Sequence, residues 1–220
     1  MKELFVRLFY MMFGLLLFAV GIIITIKANI GYAPWDVFHV GVANTFGISL
    51  GLASISVGMI ILAIVMFFGE KTGLGTISNI VIIGIFIDIL LFIDIIKTPE
   101  NFIVGVLMLI AGLFIISLGT LYYIKAGFGA GPRDSLMVLL TRKTKISVGI
   151  CRSVLELLVT VIGWFLGGMV GIGTVISVFG IGFCIQITFK LLRFDVTSVK
   201  HESFYDTFIA LKNIRKKTSD

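Results

Sequence analysis

Charge is the first thing this chain lacks. Only 14% of its 220 residues are Asp, Glu, Lys or Arg, and 58% are hydrophobic. Soluble domains carry about a quarter charged residues. A surface built from so few charges does not dissolve in water, and a mean hydropathy of +1.13 marks an integral membrane protein. Histidine is scarcer still. Only His39 and His201 occur, and they fall on opposite sides of the bilayer in the topology derived below, so no histidine-based site can assemble. H-E-x-x-H, Cys/His clusters and G-x-S-x-G are also missing, which removes the metalloprotease, zinc-site and hydrolase readings. Asp88 and Glu156 form an acid pair with no nucleophile or metal to serve. The expectation is a non-enzyme without a cofactor. The two cysteines, Cys151 and Cys184, lie inside apolar runs and read as small buried hydrophobes.

The charge that is present is basic, net +6 with a pI near 9.4. In a membrane chain this balance reflects basic cytoplasmic loops rather than a nucleic-acid partner. Six apolar runs are long enough to cross a hydrocarbon core of roughly 30 Å, which takes about 20 helical residues. They cover about residues 4–26, 49–68, 75–96, 102–124, 147–166 and 173–192. Lys2 and Arg7 flank the first run as in a signal peptide. Its apolar stretch exceeds an h-region and no A-x-A site follows, so it reads as a retained helix.

Two costly passages interrupt these runs and resemble one another: "KANIGYAPWDVF" from Lys27 and "KAGFGAGPRDSL" from Lys125. Lys27 and Lys125 lie 98 positions apart. The same offset joins Gly31 to Gly129, Pro34 to Pro132, Asp36 to Asp134, Ser49 to Ser147, Gly51 to Gly149, Gly73 to Gly171, Gly75 to Gly173, Thr76 to Thr174 and Gly84 to Gly182. Shared aliphatic bias produces chance apolar matches, but not Gly, Pro, Asp, Ser and Thr in one gapless register. The chain is therefore an internal duplication, with repeats at 1–97 and 98–194 and a tail at 195–220.

Each half reads as a long helix, a glycine turn, a short segment (34–46 or 132–145) and two more long helices. At 1.5 Å per residue neither short segment crosses the core. Three crossings per half is an odd number, so the second half enters from the opposite face. The fold class follows as an all-α membrane protein of six transmembrane helices in a 3+3 inverted repeat, with a short helix after the first helix of each half. With both termini inside, only Lys27 and Lys97 of the 18 basic residues fall outside, as the positive-inside rule requires.

"YAPWD" is expected to start a short helix near the outer face and "AGPRD" its twin near the inner face. Proline suits the first helical position, and Asp36 or Asp134 in the first turn complements the helix dipole. That structural role weighs about equally with solute or ion binding. Location favours binding, because irregular backbone at membrane depth persists where protein or water reaches it. Arg133 stands beside Asp134 in the same motif.

"GLGT" and "GIGT" place Thr76 and Thr174 after glycine turns. The better reading is an N-cap; anion binding at a helix N-terminus is the alternative. Asp88 lies about 20 Å along its helix and reads as a buried carboxyl bonded to a neighbouring helix or one reaching water beside Asp94, while its match to Gln186 in the other half favours an interior-facing polar position. Glu156 sits one turn beyond Arg152 and is either its i,i+4 partner or, if Arg152 snorkels to the inner face, a lone carboxyl for binding or proton relay. His39 reads as a surface histidine, with pH sensing as the alternative, and Trp35 as an interfacial anchor. In the tail, Phe204, Phe208 and Leu211 share a helical face beside Lys212, Arg215, Lys216 and Lys217, which suits an amphipathic helix on the inner leaflet.

"GYAPWDVFHVGV", "GLGTISN", "GAGPRDSL" and "VGIGTVIS" resemble the YczE/YyaS/YitT family of bacterial membrane proteins, its YczE-like branch above all, across residues 4–192. The resemblance implies a bacterial cytoplasmic-membrane location and assigns no activity. Many YitT-like relatives carry a soluble C-terminal domain where this chain has a short tail.

Two function classes follow. The favoured one is a secondary transporter, because inverted repeats build two related gates around one site. Its small-molecule or ion site would draw on Asp36, Asp88, Arg133, Asp134, Glu156, Gln186, Thr76 and Thr174. The other is a non-transporting scaffold or regulator acting through the basic loop and tail, favoured by the lack of a substrate motif.

Overall fold

A computed structural model describes residues 2–70, 72–195 and 199. The tail helix expected around Phe204–Lys217 lies outside the described residues. The described residues form eight helices: α1 (Lys2–Lys27), α2 (Pro34–Phe46), α3 (Leu50–Phe67), α4 (Leu74–Ile93), α5 (Phe102–Ala126), α6 (Pro132–Thr144), α7 (Val148–Phe165) and α8 (Ile172–Leu191). Six of them, all but α2 and α6, are long and apolar enough to cross a membrane. Large apolar side chains such as Phe67, Phe92 and Phe165 stand exposed on the outside of the bundle, a surface suited to lipid rather than water. α2, α3 and α4 reappear as α6, α7 and α8 with both ends of each helix shifted by 98 residues.

α1 and α5 form the central seam. A Cβ on Gly14 would fall 2.8 Å from the Gly119 carbonyl oxygen, and one on Gly21 would fall 2.9 Å from that of Gly112. Small residues permit this approach where side chains could not. The numbering rises along one helix as it falls along the other, so the two run antiparallel. Gly14 and Gly112 are repeat mates, as are Gly21 and Gly119, and each contacts the other's partner. The same exchange occurs in the loops. Gly75 N–H donates to Phe128 O at 2.7 Å and Gly173 N–H to Ile30 O at 2.7 Å. Residue 30 maps to 128 and 75 to 173, so each half holds the other's glycine turn by the same bond. This is the self-complementary pattern of a two-fold relation.

The helix ends are tied on two levels. Arg7 Nε donates to Ala126 O at 2.9 Å and covers the Phe128 ring at 4.5 Å, which satisfies a carbonyl at the end of α5. Arg142 at the end of α6 pairs with Glu70 in the α3–α4 turn at 2.9 Å. At the other end of the bundle, the half-exposed Asp94 accepts from Lys27 Nζ at 2.6 Å and Lys97 Nζ at 2.5 Å, joining α1 to α4. The hydrogen bond from Lys27, followed by that from Lys97, holds the Asp94 carboxyl at about 2.

A depressed carboxyl pKa stabilises the folded state fully above the unfolded value, about 4. The contribution fades as pH falls through the folded value. Asp94→Asn should therefore lower the melting temperature by a similar small amount at pH 7 and pH 5, with the gap to the parent chain narrowing below pH 4 and closing toward pH 2. Melting curves across that range check it. A gap that persists at pH 2 would show that the ion pairs with Lys27 and Lys97 are not its source.

Candidate functional site in the central cavity

The short helices do not lie out at the two faces as the sequence suggested. Their N-terminal ends meet inside the bundle, at a cavity of about 230 Å³ lined by Pro34, Trp35 and Asp36 from α2 and by Pro132, Arg133 and Asp134 from α6. The proline at the start of each enforces the local geometry. Ala33 (ψ 151°) and Gly131 (ψ 158°) are extended, and neither provides a side-chain cap. An unprolonged N-terminus leaves backbone N–H groups without an intrahelical acceptor, so two partially positive helix ends face one space.

Trp35 and Arg133 are repeat mates, and they touch one another: the guanidinium sits 4.9 Å from the indole ring. A residue that contacts its own mate lies on the two-fold relation, so the cavity is centred where the halves meet. Other lining residues also come as mates, among them Asn79 with Ser177 and Asp36 with Asp134. The mates differ in charge. Where the first half has Trp35, His39, Ser54 and Gly58, the second has Arg133, Met137, Arg152 and Glu156, so all the basic charge in the cavity comes from the second half.

Two surface assignments are overturned here. His39 is buried at 3% exposure, with Nδ1 3.5 Å from Arg133 Nη2 and 3.9 Å from Asp36 Oδ1. It is no surface histidine, because α2 turns inward and packs against α3 and α7. Trp35 is no interfacial anchor, because its ring carries Arg133 at the cavity. Arg133 itself leaves the inner basic segment for the cavity and lies in electrostatic range of Asp36, Asp134 and Glu156.

Of the residues singled out by sequence, Asp36, Arg133, Asp134 and Glu156 come together. Asp36 is buried at 4% exposure, while Asp134 is exposed at the start of α6. Arg152 does not snorkel away from Glu156. Its Nε donates to Glu156 Oε1 at 2.9 Å, with both residues on the cavity wall.

The other four lie elsewhere. Thr76 and Thr174 are buried in the glycine turns. Neither is the N-cap: Gly73 and Gly171 hold that position. Their hydroxyls instead accept from Gly73 N–H at 3.3 Å and Gly171 N–H at 3.1 Å, and Thr76 Oγ1 donates to Ala130 O at 2.7 Å. The bond to Ala130 ties the α4 turn to the loop that leads into α6. Asp88 does not face the interior cavity but caps α3, accepting from Gly51 N–H at 2.7 Å and Ser49 Oγ at 2.5 Å. Its mate Gln186 is exposed.

Asn79 and Ser177 were missed. Ser177 is 1% exposed and its hydroxyl has no hydrogen-bond partner, an arrangement that costs free energy until a partner arrives. The signal was available: an Asn and a Ser at matching positions of otherwise apolar helices, in the same 98-residue register.

The chain also matches a family model described as "Family of unknown function (DUF6198)" over residues 5–190. It is 34% identical over 197 residues to "Uncharacterized membrane protein YczE" of Bacillus subtilis, covering 89% of this chain and 87% of that one. A Haemophilus influenzae protein named "Uncharacterized protein" is 30% identical over 188 residues, covering 83% and 85%. "Uncharacterized protein YyaS" of Bacillus subtilis is 29% identical over 168 residues, covering 75% and 83%. No solved structure matches. The six apolar crossings, the paired glycine turns and these matches together place the chain in family DUF6198, as a multi-pass membrane protein of the YczE kind.

Proposed function

We propose that this protein is a secondary carrier that moves a small solute across a bacterial cytoplasmic membrane by alternating access, with both termini cytoplasmic and its two halves inverted across the bilayer. One observation carries the reading: two short helices, one from each half, aim their N-termini into one cavity on the relation that exchanges the halves. Carriers place binding sites at such repeat interfaces, where helix ends face the solute. The antiparallel α1–α5 seam supports the inversion.

The cavity also bounds the solute. An engineered cavity of about 150 Å³ accepts benzene, and drug-sized ligands take roughly 300–1,000 Å³. A volume of about 230 Å³ suits a small organic molecule. The wall is largely aliphatic, with the carboxylates of Asp36, Asp134 and Glu156, the guanidiniums of Arg133 and Arg152, the imidazole of His39 and neutral polar groups that include Asn79 and Ser177. The solute is then amphipathic, with a polar head at Arg133, Asp36, Asn79 and Ser177 and a short apolar body among Ile80, Ile83 and Leu155. Binding and passage, not chemistry, is the work proposed for the site.

Purified chain in proteoliposomes, screened against radiolabelled small amphipathic solutes, should show saturable uptake. Absence of uptake across such a panel would favour a scaffold or regulator acting through the inner loop and tail. The topology is checked separately. Thr45→Cys and Lys143→Cys, both at exposed positions, in a background lacking Cys151 and Cys184, should label with impermeant maleimide from opposite sides of the membrane. Labelling from one side would end the inverted-repeat reading.

A further inference from the structure

The two halves share one sequence pattern but differ in how their last two helices pack. In the first half α3 packs along α4. Gly51 and Gly84 make the contact: a Cβ on Gly51 would fall 2.0 Å from Gly84 O, and one on Gly84 would fall 2.7 Å from Gly51 O. Asp88 locks it, taking Gly51 N–H and Ser49 Oγ at the start of α3.

In the second half, α7 and α8 make no comparable contact. The mates Gly149 and Gly182 face open space, with no heavy atom within 4 Å of a Cβ on either. Ser147, the mate of Ser49, makes no side-chain cap bond. Gln186, the mate of Asp88, is exposed. Glycine in a helix interior costs about 1 kcal/mol against alanine, and nothing in this arrangement uses Gly149 or Gly182. Their mates are used for close helix approach.

We infer that α3/α4 and α7/α8 are the two gates of the cavity and that they exchange arrangements. In this structure α3/α4 is shut and α7/α8 is open. In the other state α7 closes on α8 through Gly149 and Gly182, the Gln186 side chain takes Gly149 N–H and Ser147 Oγ, and α3 parts from α4. The inference rests on the transport reading of the cavity and adds to it the residues that open and close each side. It also accounts for which gate is shut. Asp88 offers a charged acceptor to two donors, whereas Gln186 offers a neutral one, and charge-assisted hydrogen bonds are roughly twice as strong. The difference biases the pair toward the arrangement observed, with α3 packed on α4 and α7 apart from α8. Exchange of two packings of equivalent elements is a discrete switch, because close-packed helices are bistable rather than continuously deformable.

The test uses the full chain in liposomes with Cys151 and Cys184 replaced by Ser. The pair Ser147→Cys/Gln186→Cys should cross-link on oxidation, because the mates of these positions, Ser49 and Asp88, are hydrogen-bonded across the shut gate, and Gly149 and Gly182 stay in place to let α7 approach α8. Cross-linking should be several-fold faster with Asp88→Asn, which weakens the opposing gate, and slower with Gly182→Val, which fills the space α7 needs to close on α8. In the cross-linked chain, an added Ser54→Cys on the cavity wall should gain reactivity to an impermeant thiol reagent applied on the side of the Thr45 label.

Failure to cross-link, with each single-cysteine variant monodisperse and reactive, overturns the exchange. So does cross-linking that leaves Ser54→Cys unreactive. Solute flux without cross-linking would reject these gates and keep the carrier. Cross-linking with the expected Ser54→Cys reactivity but no flux for any solute would keep the gates and reject the carrier.

Discussion

Gly163→Val should leave little folded protein in detergent, and Gly163→Ala should lower stability by about 1–3 kcal/mol, the usual cost of overpacking. A Cβ on Gly163 would lie 2.5 Å from both Phe38 Cα and Phe38 N, and 2.6 Å from Val37 C. All three atoms are backbone. No side chain can rotate aside, so α2 itself must move away from α7. That displacement reaches the site, because α2 carries Trp35, Asp36 and His39. Solute affinity in the Ala variant should therefore fall by more than its lost stability accounts for. Gly182→Ala is the control. Its Cβ meets nothing within 4 Å, and helix propensity favours alanine by about 1 kcal/mol, so its melting temperature should hold or rise. Thermal unfolding of the three variants with ligand titration on the survivors decides the matter. Equal stability for Gly163→Ala and Gly182→Ala would refute the packing argument.

Arg133→Ala should abolish solute binding and lower the melting temperature together. Removing the guanidinium strips Trp35 of a cation–π partner, a contact of about 0.5–2 kcal/mol depending on desolvation. It also leaves the buried Asp36 without the cation in its range. Deleting one member of a buried charged group costs about 3–5 kcal/mol, because the remaining charge is uncompensated. Arg133→Lys separates the two roles. It restores the charge and should recover most of the stability, but an ammonium cannot lie flat on the indole ring or present a planar fork to a solute. Binding should stay at least tenfold weaker, about 1.4 kcal/mol. Full binding by Arg133→Lys would reduce Arg133 to a counter-ion for Asp36.

The contrast between Arg133 and Thr76 shows why some site residues were legible and others were not. Both stand in repeated motifs, and spacing alone ranks them equally. Thr76 Oγ1 is taken up by Gly73 and Ala130, whereas Arg133 projects to a cavity that exists only once the halves are joined. For Asp88 the sequence left two readings, a carboxyl bonded to a neighbouring helix and an interior-facing acid, the second favoured by its polar mate. Helix phase carried it to α3 instead, where it caps an N-terminus. His39 was misjudged because the direction of α2 depends on Gly163 of α7 and Gly168 just beyond it, over 100 residues away.

The sequence by itself determined the class, the eight helices and their 98-residue register, since these follow from hydropathy, proline and glycine placement, and residue identity at matched positions. It also carried the antiparallel relation of the halves as an expectation, through an odd number of crossings and the bias of basic charge. Only the tertiary structure decided that the two short helices meet at their N-termini, that Trp35 and Arg133 stack as mates, and that one helix pair is closed and its mate open. The physical reason is that these features come from contacts between halves. A local pattern specifies what each half can present. Which packing the paired halves adopt depends on free-energy differences between whole-molecule arrangements, and at the α3/α4 and α7/α8 gates the sequence difference at Asp88 and Gln186 acts only after the helices are brought within hydrogen-bonding distance.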